Sequence, residues 1–335
     1  MNDQAGMKSL VLAPFTQTGL ARLGKLGQVS YEPWTATRTL QDPLELGQRV
    51  DKEHFGALVV EADFLFEEIF QTAPKLLIAG ICRGALNHVD LDAATDYGVP
   101  ILHTPGRNAR SVAELVIAQM FALARHTIEA TNYVSDLQWN DPVDQYTRFQ
   151  GIELGGRTLG VIGLGAIGNA VARLACRLGM TVLAHDPYVH GDQGKIRRVS
   201  LSRLLKSSDF VSIHIPDNVE TAGMMDANRI ASMRDQAYFI NVSSPSVVDN
   251  AALASAVNSG HLAGAAIDVH EAHPIPPDSP FLGMANVILT PHIGGSTAET
   301  IERHSAMLAA DIERAIAGRK PKHLANPAVW PIRRR

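Results

Sequence analysis

Short apolar segments alternate with longer amphipathic segments along most of this chain. Four early apolar runs predict strands, and the segments between them have the apolar spacing of helices. The predicted strands are Leu10–Pro14, Ala57–Glu61, Leu76–Ile81 and Pro100–Thr104, and the predicted helices are Gln41–Val50, Phe64–Thr72 and Leu91–Tyr97. Strands that alternate with helices in this way are typical of a parallel α/β sheet.

A long apolar helix is predicted after this first series. Ser111 has Glu114 three residues later, the spacing of an N-terminal capping box. Apolar residues then occupy almost every side of the helix: Val112, Leu115, Ile117, Met120, Phe121 and Leu123. A helix that is apolar all round is typically buried, so we expect it to lie between two domains.

The second half of the chain predicts a further parallel sheet. A strand, a glycine-rich turn, a helix and a second strand follow one another between Thr158 and Asp186. Later strands are predicted at Phe210–Ile215, Tyr238–Val242, Ala265–Val269 and Val287–Leu289, before a helix from Ser296 to about Ala317. We expect two α/β domains: residues 1–104 with 296–335, and an inserted domain of residues 105–295.

The glycines of the turn have the spacing of a dinucleotide-binding fingerprint. Gly163 permits the sharp turn, Gly165 lets the backbone approach a pyrophosphate, and Gly168 allows close packing of helix on strand. The phosphates would bind the backbone N–H groups of the helix that begins near Ala166. Asp186 is spaced to accept hydrogen bonds from the adenosine ribose. No arginine follows Asp186, which favours NAD over NADP.

Composition restricts the class of protein. The 335 residues are 46% hydrophobic and 19% charged, as in an ordinary globular protein, and suffice for two domains. A net charge of −4 gives no reason to expect nucleic acid or an anionic membrane as a partner. The two cysteines suit a reducing compartment, and the polar first residues lack a signal-peptide pattern, so we expect a cytoplasmic protein. The terminal Arg333–Arg335 is predicted to be a solvated tail.

Several motifs in a fixed order resemble those of one enzyme family. They occupy residues 87–114, 209–216, 241–249, 264–281 and 286–297, in addition to the glycine fingerprint. Together they resemble the D-isomer-specific 2-hydroxyacid dehydrogenases, the phosphoglycerate dehydrogenase-like group. The resemblance implies a flavodoxin-like substrate-binding domain and a Rossmann NAD-binding domain around a cleft. It also implies NAD as cofactor and a homodimer.

The family's catalytic side chains are an arginine, a histidine and a glutamate, and this chain keeps one of them. His292, in the motif TPHIGG, matches the general acid/base. Ser244, followed by Pro245, stands where the family has the arginine that binds the substrate carboxylate. His273 stands where the family has the glutamate that orients the histidine. A serine hydroxyl offers one neutral donor, and a second imidazole does not fix a tautomer as a carboxylate does.

Arg83 is the candidate replacement for the missing arginine. It lies with Gly84 and Ala85 in a loop whose family counterpart contacts substrate, so these three residues are predicted to bind substrate. An arginine that points to solvent or pairs with an acid is an equally open alternative. Arg107 and Arg110 are weaker candidates for the same role.

The remaining site predictions concern the cofactor and a metal. The resemblance implies that Asp268 holds the nicotinamide carboxamide, although a strand-end cap is the alternative. The other implied cofactor contacts are Gly163, Gly165, Ala166, Ile167, Gly168, Asp186, Ile215, Pro216, Thr221, Val242, Ser243, His292 and Gly294. His270, His273 and His292 invite a metal interpretation, but Pro274 opposes a helical HxxH pair, and we expect no metal.

These observations predict an NAD-dependent oxidoreductase that acts on a small hydroxy acid or a related hydroxyl compound. The replaced partners suggest a sugar-derived acid, whose hydroxyl groups could bind Ser244 and His273. The alternative is an NAD-binding sensor or scaffold protein that kept the cofactor pocket and lost turnover.

Overall fold

A computed structural model of the protein describes residues 6–334. It contains the following strands and helices in chain order: β1 (Ser9–Val11), α1 (Gln17–Gly24), β2 (Val29–Tyr31), α2 (Trp34–Thr37), α3 (Pro43–Lys52), β3 (Ala57–Val60), α4 (Glu67–Thr72), β4 (Ile78–Ile81), α5 (Leu91–Asp96), β5 (Ile101–Leu102), α6 (Ala109–Ala124), α7 (Thr127–Ser135), α8 (Asp144–Arg148), β6 (Thr158–Ile162), α9 (Ala166–Arg177), β7 (Thr181–His185), β8 (Ile196–Arg198), α10 (Leu201–Ser207), β9 (Phe210–Ile213), α11 (Ala227–Ala231), β10 (Ala237–Asn241), α12 (Asn250–Asn258), β11 (Leu262–Ile267), β12 (Val287–Leu289) and α13 (Ala298–Ile316).

The chain forms two compact units, and the first contains the described residues up to Arg107 and from Thr297 onwards. Its sheet is entirely parallel, with strand order β2-β1-β3-β4-β5. This is the order of flavodoxin-like folds. The central strands β3 and β4 are buried along their whole length because helices cover both faces of such a sheet.

The helices of this unit begin and end where their side chains predict. Asp42 caps α3 by accepting hydrogen bonds from the N–H groups of Leu44 and Glu45, and Pro43 occupies the first turn. Thr297 caps α13 in the same way. The buried side of α13 contains Leu308 and Ile312 together with polar residues, which is unusual for a core helix.

The second unit comprises Asn108–Ser296 and has a seven-stranded parallel sheet. Its order is β12-β11-β10-β9-β6-β7-β8. Counted within the unit, this is the Rossmann order 3-2-1-4-5-6 with one more strand at the edge. The predicted fold class, an α/β protein with two parallel sheets, is confirmed. No helix in the described part of the chain is long and apolar enough to cross a membrane.

Several local predictions were wrong, for identifiable reasons. β2 and β8 were not predicted, because each is a three-residue edge strand that contains exposed residues. α6 begins at Ala109 rather than after Ser111, whose hydroxyl instead donates a 2.8 Å hydrogen bond to the backbone oxygen of Gly294. α6 is also not buried all round, since Phe121 is 42% exposed.

The basic C-terminus is not a solvated tail over its described residues. The Arg334 guanidinium donates hydrogen bonds to the backbone oxygens of Phe70, Ala73 and Leu76 at the end of α4, at 2.7–3.2 Å. The Arg333 guanidinium stacks 3.8 Å from the Trp330 ring centroid. Arg335 lies outside the described residues.

Candidate active site

The glycine turn after β6 has the geometry that a bound pyrophosphate requires. Gly163 has φ +90°, a left-handed conformation that favours glycine. A Cβ atom on Gly168 would lie 1.9 Å from the Gly163 oxygen, so helix and strand pack too closely for any side chain. A Cβ on Gly165 would meet nothing within 4 Å. The space beside Gly165 is therefore open for a ligand to approach the backbone.

The first turn of α9 faces that space. Gly165 is the N-cap residue and has no side chain to cap the helix, so the N–H groups of Ala166 and Ile167 have no side-chain acceptor there. The opposite side of α9 is anchored by the buried residues Val171 and Ala175. These residues fit the phosphates of NAD, which would accept hydrogen bonds from the open N–H groups.

Asp186 follows β7 and is fixed by its neighbours. Its carboxylate accepts hydrogen bonds from the N–H groups of Leu164, at 2.8 Å, and Tyr188, at 2.9 Å. The contact with Leu164 ties this carboxylate to the glycine turn. Arg198, on the neighbouring strand β8, donates to the Asp186 backbone oxygen at 2.8 Å. Arg198 is 12 residues from Asp186 in the chain and is brought close to it by the pairing of β7 with β8, so the sequence next to Asp186 gives no indication of this contact.

The predicted nicotinamide-side residues lie at one edge of the same sheet. Because β9, β10, β11 and β12 are parallel neighbours, the loops after them meet at their carboxyl ends. Ser243 donates a hydrogen bond to the Ile215 oxygen, which joins the loops after β9 and β10. Thr221 donates to the Pro216 oxygen at 2.6 Å and folds the first of these loops onto itself. Val242 is the first residue after β10.

Asp268 holds the loop that carries the predicted catalytic histidine. It is 1% exposed, and its carboxylate accepts hydrogen bonds from Thr290 Oγ1 at 2.6 Å and from the N–H groups of Ile293 and Gly294 at 2.8 Å. A Cβ on Gly294 would lie 2.9 Å from Asp268 Oδ2, so this glycine is required for the contact. These bonds are those of the strand-end cap, and the contact with nicotinamide stays a prediction.

His292 lies inside this loop in a strained conformation. Its φ of +57° is uncommon for a residue with a side chain, and such strain is concentrated at functional sites. His292 Nδ1 lies 3.3 Å from His273 Nε2, and the ring centroids are 5.3 Å apart. When Nδ1–H of His292 donates to His273, Nε2 of His292 carries the lone pair that a general base needs. In that tautomer His273 is the hydrogen-bond acceptor, and its correspondence to the family's glutamate stays a prediction.

The other residues of the histidine segment are engaged elsewhere. His270 Nε2 lies 2.9 Å from the Thr290 backbone oxygen and donates to it. Glu271 accepts a hydrogen bond from Asn250 Nδ2 at 2.9 Å. Within residues 6–334, no group of three histidine, cysteine or acidic side chains is arranged to hold a metal ion.

Ser244 is part of a small cluster with Asp217 and Ser246. Ser244 Oγ lies 3.1 Å from Asp217 Oδ2 and 3.0 Å from Ser246 Oγ, and Ser246 donates to Asp217 Oδ1 at 2.7 Å. In this arrangement the single Ser244 proton is directed to Asp217 or Ser246, and the contact of Ser244 with substrate stays a prediction. Sequence reasoning missed Asp217, which lies 27 residues away and is brought close by the pairing of β9 with β10.

In the first unit, Arg83 follows β4 and has no hydrogen bond or salt bridge from its guanidinium to residues 6–334. Burial lowers the pKa of Arg83; the charge of Glu61 opposes that shift and the charge of Arg107 adds to it. His88, five residues on, is 4% exposed, and both of its ring nitrogens are buried without a partner among the described residues. Burial and the nearby charge of Arg83 lower the pKa of His88 to about 4.

Arg107, in contrast, is fully engaged within the first unit. Its guanidinium donates to Glu61 Oε1 at 2.5 Å and to His304 Nδ1 at 2.6 Å. His304, on α13, is completely buried and donates from Nε2 to the Pro14 oxygen at 2.7 Å. This network accounts for the presence of His304 on the buried side of α13. Arg110 pairs with Glu114 at 2.8 Å, one turn along α6.

Comparison with known proteins identifies the family. The model described as "D-isomer specific 2-hydroxyacid dehydrogenase, NAD binding domain" matches residues 117–294. The protein YoaD of Bacillus subtilis (strain 168) is 34% identical over 306 residues, 90% of this chain and 89% of that protein. The chain belongs to the D-isomer specific 2-hydroxyacid dehydrogenase family. It is therefore an NAD-dependent oxidoreductase that acts on CH–OH groups, as the sequence predicts.

Two further known proteins are similar to this chain over most of its length. The glyoxylate reductase of Korarchaeum cryptofilum (strain OPF8) is 37% identical over 269 residues, 79% of this chain and 81% of that protein. The crystal structure of the TT0316 protein of Thermus thermophilus superposes with a TM-score of 0.84 at 31% identity. It covers 95% of this chain and 100% of that one. The region matched by the NAD-binding model lies entirely within the second unit.

Proposed function

We propose that the protein interconverts a small polyhydroxy 2-hydroxyacid and its 2-oxo acid, with NAD as the hydride acceptor. In the oxidative direction Nε2 of His292 accepts the hydroxyl proton while the hydride leaves the same carbon for NAD. The products are the oxo acid, NADH and a protonated His292. The observation that carries this proposal is the His292–His273 hydrogen bond beside the Asp268-held loop. It orients an imidazole at the edge of the sheet where α/β proteins bind their ligands.

The neutral partner of His292 changes its chemistry. A carboxylate partner would stabilise the protonated imidazole by attraction, whereas His273 offers only a lone pair. A second proton between the two facing nitrogens would replace this hydrogen bond by repulsion. His273 therefore acts as an orienting residue for His292.

We propose that Arg83 binds the acidic group of the substrate. The loops after β9, β10, β11 and β12 contain no lysine or arginine (residues 214–222, 242–249, 268–282 and 290–296). These loops therefore supply no cationic side chain for the acidic group of a substrate. Arg83 has a partly buried guanidinium without a hydrogen-bonded partner among the described residues, and the adjoining backbone of Gly84 and Ala85 is exposed. An anion bound there would restore the interactions that burial removes.

Replacement of Arg83 by alanine tests this role. A charge-assisted hydrogen bond contributes about 1.5–3 kcal/mol, so the loss should raise KM about tenfold to a hundredfold. Arg319→Ala, which removes an exposed arginine of the same unit, is the matched control. An unchanged KM in Arg83→Ala would contradict the assignment.

A substrate screen tests the reaction itself. The purified protein would be assayed with NAD or NADH against simple 2-hydroxyacids, sugar acids and their oxo forms. Turnover of a polyhydroxy acid that His292→Ala abolishes is the expected result. Absence of turnover throughout, with NADH binding retained, would instead favour the sensor or scaffold alternative.

We propose a homodimer held through the second unit. Apolar side chains are exposed along α7, α8 and the loop between them: Ile128, Val134, Leu137, Trp139, Val143 and Tyr146. Such a concentration on a monomer surface typically marks an interface. Leu137→Glu should convert the protein to a monomer in sedimentation analysis, whereas Val219→Glu, at an exposed residue outside this segment, should not. We also propose a cytoplasmic location, which the two free cysteines support.

A further inference from the structure

The cluster of Asp217, Ser244 and Ser246 has a hydrogen-bonding character that can be worked out by counting protons. Two hydroxyl groups provide two protons, and one carboxylate provides none. Ser246 donates to Asp217 Oδ1 at 2.7 Å, which uses the first proton. The Ser244 proton goes either to Asp217 Oδ2 or to Ser246 Oγ, at 3.1 Å and 3.0 Å. In both arrangements each hydroxyl proton points into the cluster.

The cluster therefore presents only acceptors to its surroundings. The two carboxylate oxygens of Asp217 have about four lone-pair positions, of which at most two are filled by the serines. Asp217 is exposed, so the remaining lone pairs are accessible, and they carry a negative charge. A group that donates hydrogen bonds would be bound here, and a carboxylate or phosphate would be repelled.

The cluster lies at the same edge of the sheet as the loop that carries His292. Asp217 follows β9 and Ser244 follows β10, and Asn241, the last residue of β10, holds the Ser244 backbone oxygen at 2.9 Å. β10 is hydrogen-bonded to β11, which ends just before Asp268, the residue that fixes the His292 loop. All of these residues lie at the carboxyl ends of neighbouring parallel strands.

We propose that Asp217, with Ser244 and Ser246, is a specificity-determining residue that binds a hydroxyl group of the substrate and excludes a second acidic group. This inference rests on the proposed function and deepens it. It assigns the recognition of a substrate hydroxyl group to residues of the second unit. The same acceptor chemistry suits an ammonium group, so the test below separates the two donors.

The test uses four D-2-hydroxyacids that differ at one carbon: lactate, glycerate, isoserine and malate carry hydrogen, hydroxyl, ammonium and carboxylate there. Equilibrium dissociation constants for the NADH-bound protein, measured by calorimetry, do not depend on turnover. We expect glycerate to bind about tenfold more tightly than lactate, and malate more weakly than lactate. Isoserine tighter than glycerate would assign the site to an ammonium group and overturn the hydroxyl assignment.

Asp217→Asn removes the charge at nearly constant shape and should reduce the glycerate preference and the malate penalty together. Asp235→Asn, at an exposed aspartate just before β10 and so at the opposite edge of the sheet, should change neither. A malate penalty that survives in Asp217→Asn, or equal affinities in the unmodified protein, would refute the proposal. Absence of turnover with the affinity pattern intact would refute the proposed reaction alone.

Discussion

His304 should make the stability of this protein fall steeply in mild acid. Its ring is completely buried, donates from Nε2 to the Pro14 oxygen and accepts from Arg107 at Nδ1. A proton on Nδ1 would face the N–H of a guanidinium, so only the neutral ring fits. Burial is the largest cause and lowers the pKa of His304 to about 4. The hydrogen bond to Pro14 and the charge of Glu61 act to raise this pKa, whereas the charge of Arg107 lowers it further.

The size of the effect follows from proton linkage. In the unfolded chain a histidine binds its proton below about pH 6.5. In the folded protein His304 binds one only below about pH 4. Between these values the unfolded state holds more protons, so acidification favours unfolding. A fall in the pKa from about 6.5 to about 4 corresponds to about 3.4 kcal/mol of stability in all. This stability is present above pH 6.5, about 2.5 kcal/mol of it is lost by pH 4.5, and the rest is lost as the pH falls through 4.

His304→Gln isolates this contribution. A glutamine amide can donate to Pro14 and accept from Arg107 but does not titrate, while His88 and His214, whose burial also lowers their pKa values, stay in both proteins. Urea unfolding at intervals between pH 7 and 4.5 should show the gap between His304→Gln and the unmodified protein shifting by about 2.5 kcal/mol in favour of the variant. The exposed His190→Gln is the control. Parallel pH profiles for His304→Gln and the unmodified protein would refute the reasoning.

Three further changes test other parts of the structure. Asp186→Ser removes a charge that repels a 2′-phosphate and leaves Arg198 beside it, so the ratio of kcat/KM for NADP to that for NAD should rise about tenfold or more. Adding Arg198→Ala should cancel the gain, and steady-state kinetics decide. His273→Glu restores a carboxylate to the imidazole, so the acid limb of the kcat/KM profile should move to higher pH; an unmoved profile would argue against the pairing. Arg334→Ala removes three bonds to backbone carbonyls and should lower the free energy of unfolding by about 1–3 kcal/mol, measured in urea, whereas Arg319→Ala should not.

Local sequence patterns predict the parts of this molecule that depend on local interactions. The role of each glycine in the turn could be predicted because steric constraints from residues nearby in the chain require a glycine at that position. The buried strands could be found because burial on both faces leaves a continuous apolar run. β2 and β8 were not predicted from the sequence because an edge strand is ordered by pairing with the neighbouring strand. Its own sequence contains few apolar residues that would indicate a strand.

The polar contacts at the site depend on neighbours that only the fold brings together. Asp217 and Ser244 are joined by strand pairing, Asp186 and Arg198 by the next pair of strands, and Glu61 and His304 by the packing of the last helix on the first sheet. Sequence spacing gives no measure of such contacts. The identity of Ser244 was therefore predictable, whereas the direction of its proton was not.

The resemblance implies two departures from the family's catalytic set, and the contacts of the replacing residues favour a change of substrate over decay. Arginine replaced by serine removes one positive charge, and glutamate replaced by histidine removes one negative charge, so the balance of these two positions is kept. An abandoned polar position would leave a buried group such as Ser244 without a partner. Here Ser244 bonds to Asp217, and His273 to His292, so both replacements have new partners. A protein retained for NAD binding alone would need neither contact. The strained conformation of His292, held by Asp268, would then lower the stability of the protein without serving a function.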